Sequence, residues 1–335
     1  MSLPTIVGHE IQRRRLKHLL HAGKLPTALI FAGIPGIGKV LAAKELIRTL
    51  FCEQQAQPET APYGGCGSCR NCQIFDAGNQ PDFYLIDCLD KETWNIESLR
   101  GLLYSLNLRA FSGASRVVLI NNAEHLSLQA ANALLKALEE PRPSTHFFLV
   151  TSNCSRLPRT LVSRCQVWFF DALKPSEIAL ILQSQTDTSA ALSGPIEEIA
   201  FLADGTMDNI GAISSNLSDW RDLQKTLEGI FKGDIDTAQS AALQLSRDRD
   251  SLRDKLKLMR IYARQRMRET EDRSRRSRWA ACVANLLESE RFIFERNLNA
   301  QYLLSSLFLS LAAHPGLETF TTLTNSDTLL SRHFE

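Results

Sequence analysis

Ala28-Leu-Ile-Phe-Ala32, followed by Gly33-Ile-Pro-Gly36-Ile-Gly38-Lys39-Val40, is the stretch that decides the fold. An apolar strand runs into a glycine loop, and the residues from Val40 to Leu50 read as a helix opening behind it. This is the phosphate-cradling loop G-x-x-x-x-G-K-[ST] in every position but the last. Gly33, Gly36 and Gly38 let backbone N–H groups turn inward, the helix start adds a positive dipole end, and Lys39 adds a point charge. At the position where a serine or threonine hydroxyl holds magnesium stands Val40, which has the shape of threonine without its oxygen. The packing survives that exchange and the metal ligand does not.

A working site of this type also needs a second apolar strand ending in an acid that holds magnesium. Val117-Val-Leu-Ile120 is the candidate strand, but Asn121 and Asn122 follow it. A neutral amide is a poor magnesium ligand and no base; Glu124 lies further along. Further apolar runs at Phe83–Asp87, Phe147–Val150 and Val167–Phe170 read as strands. Helical patterns at Ile11–His21, Ile96–Leu106 and from Ser127 to Glu140 lie between them. Strands alternating with helices predict an α/β P-loop domain with a parallel sheet. From Pro175 onward the sequence reads as helical, with apolar stripes such as Leu252, Leu256, Met259, Ala263 and Met267, and Val283, Leu286, Glu290 and Ile293. A polar arm (Glu53–Tyr63) and a turn at Phe111-Ser-Gly-Ala complete the reading.

The chain has 335 residues, 44% apolar and 22% charged, with a formal net charge of +1. These values suit a soluble globular protein and give no whole-chain pull toward nucleic acid or membrane. The charge is uneven: residues 247–278 hold 13 Lys/Arg against 6 Asp/Glu. Such a run is a solvated helix face, a subunit contact or a DNA contact. The start lacks a basic segment and a long apolar run, so no signal peptide is expected and the setting is read as cytoplasmic. Four of the eight cysteines, Cys52, Cys66, Cys69 and Cys72, fall within one short stretch. Four thiolates at this spacing suit a closed structural zinc site; free thiols and an iron–sulfur cluster are the alternatives.

Asn132-Ala-Leu-Leu-Lys136-Ala-Leu-Glu139-Glu140-Pro141 resembles the N-A-L-L-K-x-L-E-E-P helix of bacterial clamp-loader subunits, and Ser163-Arg164-Cys165 matches their Ser-Arg-Cys motif. With Ile6-Val7-Gly8, the glycine loop and the cysteine cluster, the first 170 or so residues are similar to the AAA+ subunits of the DNA polymerase III clamp loader. The motor subunits of that family (tau/gamma) keep the threonine and the Asp-Glu pair; this chain resembles the stator-type members that have lost them. Gln80 stands where relatives often carry histidine.

The resemblance implies an AAA+ domain at 1–171 with an inserted zinc module (52–72), a helical lid at 172–214 and a helical oligomerisation collar at 215–335. It implies that Arg164 is an arginine finger reaching in trans into a neighbouring ATP site. It also implies that Asp208 stands where active relatives carry a nucleotide-sensing arginine. The expected partners are the tau/gamma motor subunits and the delta subunit, with the sliding clamp and primed DNA reached through the complex. No intrinsic catalysis and no magnesium are expected, and bound ATP is left open. The competing readings are an active P-loop ATPase with unusual metal ligands and a stand-alone zinc module that binds DNA.

Overall fold

The three central strands read as unbroken apolar runs because their parallel sheet is covered on both faces there, whereas the two edge strands are partly exposed. The computed structural model describes residues 6–56, 64–90, 96–106, 115–184, 194–215 and 217–313. Among these, β1 (Ala28–Ala32), β2 (Phe83–Asp87), β3 (Arg116–Asn121), β4 (Thr145–Thr151) and β5 (Gln166–Phe169) form one all-parallel sheet in the order β2-β3-β4-β1-β5. Its register sets Phe31 of β1 opposite Val150 and Trp168, and Asp87 of β2 opposite Asn121. The sequence-predicted α/β class and all the expected strands are therefore present.

The helices are α1 (Glu10–His21), α2 (Lys39–Phe51), α3 (Arg70–Asp76), α4 (Ile96–Ser105), α5 (Leu128–Glu139), α6 (Arg159–Val162) and α7 (Pro175–Ser184). They continue as α8 (Ile196–Leu202), α9 (Ile210–Ser215), α10 (Leu217–Phe231), α11 (Ile235–Arg247), α12 (Arg249–Glu269), α13 (Arg273–Phe294) and α14 (Ala300–Ala313). The chain divides into two units, residues 1–181 with 205–208, and residues 182–204 with 209–335.

In the first unit, successive strand residues point to opposite faces, so each face acquires its own core. Ile30, Ile120 and Leu149 pack with Leu134 and Leu138 of α5 and Leu161 of α6. Phe31 and Phe148 meet edge to face at 5.9 Å, and Phe31 lies 4.8 Å from Phe170. Helix α2 touches β1, β3 and β4 but contributes nothing to the α5 cluster, so it covers the other face. Ser127 caps α5 by accepting from Ala130 N at 3.1 Å, as its position before the apolar run predicts.

The second unit is helical throughout its described residues. Of the expected stripe, Leu252, Leu256, Met259 and Ala263 are buried and Met267 is half-buried. On α13 Leu286 and Ile293 are buried as expected, while Cys282 and Ser289 are buried beside them and Glu290 pairs with Arg260 at 2.6 Å. The turn at 111–114, residues 57–63 of the polar arm and residues 314–335 of the collar assignment lie outside the described residues. Among the described residues no helix is long and apolar enough to cross a membrane.

Candidate functional site

The glycine loop joins β1 to α2 in the form its motif requires. Gly36 and Gly38 have φ of 70° and 88°, left-handed values that favour glycine, and Gly38 caps α2. Gly36, Gly38, Lys39, Val40, Asn121 and Asn122 line one cavity of about 530 Å³ at the carboxyl ends of the strands. Gly33 lies beneath that lining and accepts from Lys39. The two sequence motifs therefore converge.

Several polar groups of the loop are engaged within the chain. Lys39 Nζ donates to the carbonyls of Gly33 at 2.7 Å and Ile34 at 2.6 Å, so two of its three protons are spent on the loop. Residues 205–208 settle on top. Thr206 Oγ1 donates to Pro35 O at 2.7 Å, and Met207 N donates to Gly36 O at 3.0 Å. A Cβ at Gly36 would come within 2.3 Å of Thr206 Oγ1 and 2.5 Å of Asp208 Cγ. Only glycine permits so close an approach. Burial depresses the Lys39 amine to about 8, against the opposing pull of the Glu124 and Asp208 carboxylates.

The second motif is likewise engaged. Asn121 Nδ2 and Asn122 Nδ2 donate to the two oxygens of Asp87 at 2.9 and 2.8 Å. Burial would raise the Asp87 pKa, but these bonds and one from Leu89 N outweigh it and hold the carboxyl below its usual range. Glu124 lines the same cavity, and its carboxylate accepts from Ser152 N at 3.0 Å and from the Ser152 hydroxyl. Burial opposes ionisation there too, and the hydrogen bonds again win.

Lys39 gives a pH test. The unfolded amine keeps its proton to about pH 10.4, whereas the folded one releases it near 8. Between these values the unfolded chain binds more protons, so wild-type stability relative to Lys39→Met should rise with pH, by on the order of 3 kcal/mol in full. Paired denaturant melts at pH 7.5 and 10 check this. A constant difference would contradict the buried, charged amine.

The four clustered cysteines also converge. The Sγ atoms of Cys52, Cys66, Cys69 and Cys72 all lie within 4.8 Å of one another, close to the edge of about 3.8 Å of a tetrahedron with 2.3 Å zinc–sulfur bonds. Backbone N–H groups already face the sulfurs: Cys66 N to Cys52, Cys69 N to Cys66 and Cys72 N to Cys69, at 3.3–3.5 Å. The Ser68 hydroxyl is the largest influence holding the Cys66 thiol down at about 6, while burial pushes Cys52 and Cys72 up. Four such sulfurs can be thiolates together only around a cation, and the donor set fits zinc. Arg48 of α2 staples the module by donating to Gly64 O at 2.6 Å and pairing with Asp76.

Arg164 follows α6 on the surface. Its Nη1 donates to Thr160 O at 2.8 Å, and its Nη2 is ion-paired with Glu139 at the end of α5. In the second unit, much of the basic stretch finds acids nearby: Lys255 with Asp219, Arg260 with Glu290, and both Arg264 and Arg268 with Asp204. Sequence reasoning assigned no role to Asp87, Glu139 or Arg48. Asp87 carries one usable signal, as the polar end of an apolar strand beside the strand ending in Asn121. The partners of Glu139 and Arg48 lie 25 and 28 positions away with no pattern linking them.

Residues 8–174 match the family model described as "DNA polymerase III, delta subunit". Through those residues the chain belongs to that family. The DNA polymerase III subunit delta' of Escherichia coli K12 is 38% identical over 170 residues, 50% of this chain and 48% of that one. Its namesake from Bacillus subtilis 168 is 35% identical over 176 residues, 51% and 50% of the two chains. The E. coli subunit tau is 34% identical over 175 residues, 52% of this chain and 26% of tau. This member of the DNA polymerase III delta family spans about half the length of the delta' relatives it matches. The matched region holds the sheet, the glycine loop, the cysteine module and Arg164.

Proposed function

We propose that this chain is a non-catalytic, stator-type subunit of a DNA polymerase III clamp loader, of the delta' kind. It supports ATP-driven loading of a sliding clamp onto primed DNA by motor subunits of the tau/gamma type, together with a delta subunit. The observation that carries the reading is Lys39, whose amine is spent on Gly33 and Ile34 beneath residues 205–208 in a chain similar to delta' proteins. With Val40 and Asn121 in the metal positions the loop lacks the ligands that magnesium-dependent hydrolysis needs, and the Glu124 and Asp208 carboxylates near Lys39 oppose the charge of a triphosphate.

What remains useful is the outside of the domain. Arg164 serves as an arginine finger for the neighbouring motor subunit, because an always-charged planar guanidinium can pair two γ-phosphate oxygens. Cys52, Cys66, Cys69 and Cys72 hold a structural zinc ion. Residues 1–171 form the AAA+ body, 172–214 the lid and 215–335 the collar that joins the ring, with the stretch 247–278 facing a partner subunit. The complex works in the cytoplasm as part of the polymerase holoenzyme.

Reconstitution tests this. The purified chain should show no magnesium-dependent ATP turnover, and adding it to the motor and delta subunits should raise DNA- and clamp-stimulated turnover. Turnover by the lone chain at a motor-subunit rate would overturn the reading.

A further inference from the structure

Both terminal nitrogens of the Arg164 guanidinium are engaged within its own chain. Nη1 donates to Thr160 O at 2.8 Å and Nη2 pairs with Glu139. A guanidinium grips a phosphoryl group through that same fork of nitrogens. While Glu139 holds it, the fork is not available to a neighbour. The position of Glu139 is itself informative. It is the last residue of α5, where the helix presents the negative end of its dipole and an acid is disfavoured. Its carboxylate therefore gains nothing from its own helix, and the cation it faces is Arg164.

Resting on the finger reading above, we infer that Glu139 is a positioning residue that guards Arg164, occupying the guanidinium fork until the γ-phosphate of a neighbouring subunit's ATP displaces it. The exposure of the pair suits an exchangeable contact: the arginine and glutamate side chains are 34% and 48% exposed. At that exposure an ion pair is worth little enough to yield to a triphosphate. Thr160 O keeps one proton of Nη1 as Nη2 changes partner, so the side chain holds its direction while the other Nη1 proton completes the grip on the phosphate. A site carrying only a diphosphate offers no γ-phosphate oxygens, and the fork returns to Glu139. No bond is made or broken in this exchange; one anion replaces another on the same cation.

The test uses the reconstituted complex and the ATP dependence of its turnover. Glu139→Gln keeps the shape and one acceptor oxygen but removes the charge. It should lower the half-saturating ATP concentration by about two- to five-fold, the range an exposed ion pair is worth. The gain should fall on that concentration and not on the maximal rate. It should shrink as salt screens the wild-type pair, and it should vanish when Arg164 is alanine. An unchanged or raised ATP requirement, or a gain that persists without Arg164, would overturn the guard. Loss of turnover with Arg164→Ala but no gain with Glu139→Gln would sink the guard alone. No loss with Arg164→Ala would sink the finger, and the guard with it.

Discussion

Replacing Arg164 by alanine in the reconstituted complex should slow hydrolysis at the adjacent motor site on the order of 10³-fold or more, the range that fingers supplied in trans contribute to phosphoryl transfer. The charge develops on the γ-phosphate oxygens in the transition state, so a guanidinium absent there cannot be replaced by water at comparable strength. Assembly should persist. The side chain makes one surface ion pair and donates to Thr160 O and the Ser163 hydroxyl in this chain, and losing an exposed pair costs about 1 kcal/mol or less. Two measurements separate these effects: gel filtration of the complex, and single-turnover hydrolysis with the other motor sites inactivated. Arg164→Lys keeps the charge but loses the planar fork and should recover little of the rate. Full turnover by an intact complex carrying Arg164→Ala would remove the finger.

Zinc removal should have the second-largest effect. Cys72 is fully buried and Cys66 is only partly buried, so Cys66 separates metal binding from packing. Cys66→Ser changes one atom at a partly solvated position, and as a surface substitution alone it would stay within about 0.5 kcal/mol. As a lost ligand it should abolish the bound ion and cost several kcal/mol, since structural zinc contributes on the order of 10 kcal/mol where it organises an entire small fold. Metal content by atomic emission, thermal melts and proteolysis of the 52–72 module report the outcome. The parallel sheet should survive, because its core of Ile30, Ile120 and Leu149 lies outside the module. Wild-type protein that carries no metal as purified, or Cys66→Ser that melts identically to the zinc-loaded wild type, would refute the site.

The loop and the second motif were legible because their chemistry is local. A strand, a glycine loop and a lysine must adjoin in the chain to work, so their spacing survives in the sequence. The cysteines were legible for the same reason, since a tetrahedral shell of close thiolates limits how far apart they lie. Asp87 was harder to find, because it becomes the partner of Asn121 and Asn122 only once β2 and β3 align in parallel register. The α13 stripe was read correctly at Leu286 and Ile293 and missed at Val283 and Glu290, where the helical period is satisfied but the Glu290 charge pairs with Arg260.

By itself, the sequence determined that this is a parallel α/β P-loop body whose metal positions at Val40 and Asn121 carry no oxygen acid, followed by a helical remainder. Strand and helix periods, loop glycines and side-chain chemistry are properties of neighbours along the chain. Only the tertiary structure decided what those residues now do. It turned Lys39 back onto Gly33 and Ile34, laid residues 205–208 across Gly36, spent both asparagines on Asp87 and gave Arg164 to Glu139. Apart from the Lys39 contacts, which close within the loop itself, each of these is an electrostatic or steric pairing between residues that folding alone brings together. A polar group finds its partner by distance in space, which spacing along the sequence does not record.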